Sequence, residues 1–152
     1  PPRSTLFPYT TLFRSTITTH YKGNMLFETT MGKHKVTIDV PTEMGGSDRG
    51  PQPPQIFIAS LGSCIGAFVA QYAERVGMDA SGMTVDINFE KVSDPTRLVN
   101  LNAVVKLPNA DCGQRVTAIQ KVAEHCPVHA TIQTMEGLSI QILGKGECVI
   151  GD

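Results

Sequence analysis

Four cysteines, Cys64, Cys112, Cys126 and Cys148, are the side chains of this sequence best suited to covalent chemistry. The thiolate, rather than the thiol, is the nucleophile, so the surroundings of each sulfur decide whether it reacts. Cys126 stands between His125 and Pro127. Proline cannot continue a helix that began upstream but suits the first position of a new one, which predicts a short helix over PVHATIQT with Cys126 as its N-cap. Unpaired N–H groups and the positive end of the helix dipole favour an anion there, so the Cys126 pKa is expected to be lowered. Cys64 lies in an apolar run where desolvation disfavours the thiolate. It needs a nearby cation, and Arg49, on the loop that feeds this run, is the nearest in sequence. Free cysteines are also among the most commonly buried residues, so core packing and redox chemistry both remain open for this pair. Cys112, after Asp111, and Cys148, in a glycine-flanked tail, have no evident partner and read as unreactive.

His125, Cys126 and His129, with Cys64 as a fourth soft ligand, offer a metal site as an alternative. No second Cys/His pair at finger-like spacing accompanies them, so no metal is expected.

The chain has 152 residues, 41% of them hydrophobic, which suits one globular domain with a single core. Thirteen basic and fourteen acidic side chains leave a net charge of −1 without a basic cluster, so nucleic acid is a poor partner. Four cysteines are too few for a disulfide-stapled fold, which points to a reducing, cytoplasmic setting. The apolar run from Ile56 to Ala70 falls short of the ~20 residues of a bilayer-spanning helix, so no membrane partner is expected. Residues 1–15 contain TLFPYTTLFRS, which reads like a translated sequencing adapter. The natural chain is expected to start near Thr16, with one domain over 16–152.

Alternation around Lys22-Gly23-Asn24 and Met31-Gly32-Lys33 predicts three antiparallel strands, THY, MLFETT and HKVTIDV. Pro41 to Pro54, with three glycines and four prolines, is a loop that carries Asp48 and Arg49. Pro53 and Pro54 then open a helix that runs to Gly77. It is apolar nearly all round, so something beyond its own sheet, a second helix or a partner subunit, must cover it. Gly62 and Gly66 would admit a close backbone. MTVDINFEKV and LVNLNAVVKL form a hairpin around Ser93-Asp94-Pro95-Thr96, Asp111 N-caps a helix that ends at His125, and Leu138 to Leu143 closes the sheet as a final strand. The order βββ-α-ββ-α-α-β is an α+β architecture.

The contexts LGSCIGAF and EHCPVHA, the loop GSDRGPQPP before them and this order of elements resemble the OsmC/Ohr superfamily from roughly Thr16 to Leu143. That resemblance implies antiparallel sheets with two main helices in an intertwined homodimer, with active sites at the subunit interface. It implies a peroxidase of the peroxiredoxin type, in which Cys64 attacks an organic hydroperoxide and Cys126 resolves the sulfenic acid as a disulfide. An external dithiol or other thiol reductant resets the pair, and no bound cofactor is needed. The alternative is a non-catalytic dimer that binds a small apolar ligand. Many relatives carry, near Pro54 and Gln55, a glutamate that pairs with the active-site arginine. In its absence Gln55 or Asp48 is the expected acceptor for Arg49, and both are candidate substrate-binding residues.

Overall fold

The computed structural model describes residues 15–144, so the reading of residues 1–15 falls almost wholly outside it, as does Cys148. Two compact units are present, one ending at Ile56 and the other beginning at Phe57.

The first unit is an antiparallel meander of β1 (Thr18–Gly23), β2 (Leu26–Met31) and β3 (His34–Ile38). Gly23, Asn24 and Met25 take positive φ values of 94°, 49° and 61° to turn β1 into β2. Asparagine and glycine accept that region at low cost, which is why the turn was legible. The register pairs Thr19 with Thr29, and their hydroxyls meet at 2.8 Å. Tyr21 and Phe27 meet across the strands with ring centroids 5.3 Å apart and planes tilted by 46°. After Val40 the chain enters the Gly/Pro loop, which holds one 3-10 turn (Thr42–Met44).

Helix α1 (Pro53–Val76) starts at the proline pair and stops at Gly77, whose φ of 70° ends it. Its 24 residues make it long and apolar enough to cross a membrane by length and composition, so the Ile56 to Ala70 run understated it. In the second unit α1 is the core helix. Leu61, Ile65, Val69 and Ala73, four residues apart, are buried, and the first three form the core with Ile119 and Cys126. Phe57, Ser60, Ser63, Ala67 and Gln71 stay exposed, so the cover expected for this apolar helix is not supplied here.

β4 (Thr84–Ser93) and β5 (Thr96–Lys106) form the predicted hairpin, but as a separate two-stranded sheet rather than part of one continuous sheet. It is this hairpin, not another helix, that uses the small residues of α1. A Cβ on Gly62 would lie 3.5 Å from Ile87, and one on Gly66 3.4 Å from Val85.

Asp111 does not cap a helix. A 3-10 turn (Gly113–Arg115) follows Cys112 and runs directly into α2 (Val116–Glu124), whose N-cap position is Arg115, and neither start has a side-chain cap. Helix α2 ends at His125 and α3 (Pro127–Thr134) begins two residues later, as Pro127 required. Leu138 to Leu143 is not a strand. The segment is extended in neither sheet, and Leu138, Ile140, Ile142 and Leu143 are each at least 61% exposed. Alternation marks a face that could be buried, yet a strand also needs a neighbour for its backbone, and none is within this chain's described residues.

Candidate active site

Two elements of the second unit bring the sulfurs together. Cys64, on the middle of α1, is half-buried and packs against the core cluster that contains Cys126. Cys126 is fully buried at the N-cap of α3, the place its sequence context assigned. Its Sγ accepts the backbone N–H of His129 at 3.4 Å. This is the third residue into the helix, the usual partner of an N-cap.

The expected acidity of Cys126 is not found. Burial is the largest influence and pushes its thiol up, the adjacent Cys64 thiol adds to this, and the N–H groups of His129 and Val128 oppose it without prevailing. Local helix geometry favours the thiolate, but the sulfur is buried, and desolvating a thiolate costs more than the His129 and Val128 N–H groups return. Cys126 is therefore a thiol at neutral pH, and Cys64 is the more accessible sulfur.

His125 and His129 buttress this junction. His125 Nδ1 donates to the Lys121 carbonyl at 2.6 Å and His129 Nδ1 donates to that of Glu124 at 2.9 Å. The first adds a second donor to a carbonyl that already accepts the His125 N–H at 3.2 Å, and the second partners a carbonyl at the open end of α2. His129 is half-buried. Among the described residues no three His, Cys, Asp or Glu side chains converge as a metal site would need. Cys112 is half-buried and also packs against the core cluster, with its sulfur 4.0 Å from the Ala110 carbonyl.

Arg49 belongs to the first unit, where its partner is neither Gln55 nor Asp48. Its Nε donates to Asp39 Oδ2 at 2.6 Å, and its NH2 group donates to the Asn24 carbonyl at 2.7 Å. Asp39 is fully buried and also accepts the backbone N–H groups of Val40, Ser47 and Arg49. The Arg49 guanidinium and these N–H groups hold its carboxyl well below the usual carboxylate range. Gln55 instead turns back to accept the Gln52 N–H at 2.8 Å, which secures the start of α1. Asp48 adopts φ 54° and gives its N–H to the Val40 carbonyl. The one signal for Asp39 in the sequence was an acid flanked by the apolar Ile38 and Val40.

The sequence profile of OsmC-like proteins matches residues 45–140. No curated protein matches the chain. Among solved structures, a protein of Psychrobacter arcticus described as an osmotic stress induced and detoxification response protein is similar with TM-score 0.69 at 18% identity, over 78% of this chain and 88% of that one. The OsmC like protein of Mycoplasma pneumoniae gives TM-score 0.63 at 18% identity, over 80% and 89%. The organic hydroperoxide resistance protein OhrB of Bacillus subtilis gives 0.54 at 21% identity, over 81% and 93%.

Proposed function

The chain belongs to the OsmC-like family, and from that premise we propose that it is a thiol-dependent peroxidase that reduces organic hydroperoxides. Its family carries a redox or hydroperoxide-resistance role, and the pairing of a half-buried Cys64 with a buried Cys126 is the observation that carries the finer reading. The Cys64 thiolate attacks the hydroperoxide, the O–O bond breaks, and the sulfur takes one oxygen as sulfenic acid while the alkoxide leaves and is protonated to the alcohol. The Cys126 thiol then displaces that oxygen as water, giving a Cys64–Cys126 disulfide. An external dithiol reduces it by exchange and departs oxidised.

The unequal surroundings suit this order. Cys126 stays protonated and does not compete for peroxide, yet supplies the proton that water formation requires. Arg49 is proposed as the cation that steadies the Cys64 thiolate and orients the peroxide, a role that rests on the resemblance. The functional unit is proposed to be a cytoplasmic homodimer. The exposed Leu138, Ile140, Ile142 and Leu143, with Phe57 on α1, support it as apolar surface that water alone would cover.

Mass spectrometry after one equivalent of an organic hydroperoxide tests the reading. An intramolecular Cys64–Cys126 disulfide is expected. A disulfide through Cys112 or Cys148, or unchanged thiols, would overturn it and leave the ligand-binding dimer.

A further inference from the structure

The second half of α1 and the end of α2 border an open cleft of about 350 Å³, lined by Phe68, Gln71, Tyr72, Arg75, Lys121, Val122 and His125. Phe68, Tyr72 and Arg75 recur at steps of four and three residues, and Lys121 and His125 at a step of four, so each set shares one helix face. The floor is apolar and aromatic, and Phe68, Tyr72 and Val122 are half-buried. The rim is basic. Arg75 holds its guanidinium over the Tyr72 ring, 5.5 Å from the centroid. His125 is fixed through Nδ1 on the Lys121 carbonyl, which leaves Nε2 as its other polar atom.

Neither Arg75 nor Lys121 makes an ion pair among the described residues, where the three pairs are Lys35–Glu28, Arg49–Asp39 and Lys106–Asp86. The nearby acids do not serve either. Glu124 accepts a hydrogen bond from Gln120, and neither it nor Glu74 lines the cleft. Cations are favoured in the last turn of a helix, which accounts for basic residues at these positions. It does not account for their lining, together with aromatic side chains, one cleft within the ~300–1,000 Å³ range of small-molecule sites.

We infer that this cleft binds an organic carboxylate with an apolar body, the head between Arg75 and Lys121 beside His125 and the body on Phe68, Tyr72 and Val122. The planar Arg75 fork matches a carboxylate in two parallel hydrogen bonds. A phosphate dianion suits the cleft less, because phosphate sites draw on helix N-terminal N–H groups whereas the ends here are C-terminal and present carbonyls. The same carbonyls weaken any bare anion, so the apolar body must supply part of the affinity. This inference is independent of the peroxidase reading.

Titration of the full chain with naphthoate, followed by amide chemical shifts, tests it. Saturable shifts confined to residues 68–75 and 121–125 are expected, with the neutral naphthamide and inorganic phosphate each at least about tenfold weaker. The Arg75→Gln/Lys121→Gln double variant, whose unliganded spectrum should differ from the parent only around the two substitutions and Tyr72 because both side chains are exposed, should lose at least about tenfold in affinity. Equal binding of the amide, equal binding of phosphate, an unaffected double variant, or shifts centred on residues 138–143 would each overturn the proposal.

Discussion

Asp39 holds Arg49 from a position with no exposed surface, through a 2.6 Å contact from Oδ2 to Nε, while the Arg49 side chain remains 37% exposed. The carboxylate also gathers three backbone N–H groups, so one buried charge organises both the end of β3 and the loop beyond it. Breaking it leaves several donors without an acceptor. Asp39→Ala is expected to lower the melting temperature by roughly 5 to 10 °C, while Asp48→Asn, which keeps a residue that tolerates the left-handed backbone and removes no side-chain hydrogen bond found among the described residues, leaves it within about 2 °C.

The same pair sets an acid limit. The Asp39 pKa is lower folded than unfolded, so its contribution to stability is complete above the unfolded value near 4 and is lost as pH falls toward the folded one. Denaturant melts between pH 6 and pH 3 should show stability falling below about pH 4 in the parent. In Asp39→Asn that part of the fall should be absent.

Removing the two sulfurs should have different consequences. Cys64→Ser is expected to lower steady-state hydroperoxide turnover at least about a hundredfold. Cys126→Ser should still consume one equivalent of hydroperoxide and then stop, leaving a sulfenic acid on Cys64 that dimedone labels. Equal labelling of Cys126 in the parent would contradict the assigned order.

The raised pKa of Cys126 makes a prediction of its own. In the reduced protein at pH 7.5, iodoacetamide should modify Cys64 at least about ten times faster than Cys126. Because the Cys126 pKa is higher folded than unfolded, the stability it contributes is present below the unfolded thiol pKa near 8.5 and is lost as pH rises through the folded one. Replacing Cys126 with Ala should flatten that alkaline decline.

Gly62 and Gly66 separate helix propensity from packing. Alanine in a helix interior is favoured over glycine by roughly 1 kcal/mol. Gly62→Ala should realise most of that, since its new methyl meets Ile87 at an ordinary 3.5 Å. Gly66→Leu has to displace Val85 and should cost about 1 to 3 kcal/mol in urea melts.

What the sequence made legible was whatever is punctuated locally. Pro53 and Gly77 bounded α1, Pro127 placed Cys126 at a helix start, and the glycine turns separated β1 to β3. These signals act through the backbone torsions of one or two residues. The Asp39 clamp escaped because it joins positions ten residues apart through side-chain geometry. The Cys126 acidity was misjudged because a helix end is visible locally, whereas the burial that outweighs it comes from α1. Leu138 to Leu143 shows the opposite error, in which a correct two-residue period was taken to guarantee a neighbouring strand.

Cys126 is at once a sulfur assigned to the redox couple and the acceptor that closes the first turn of α3. The electron density on that sulfur differs between thiol and disulfide, so the strength of its bond to the His129 amide must differ too. The protein thus carries an intrinsic spectroscopic gauge, for the His129 amide proton would report the oxidation state of the pair from inside the core, without any added label.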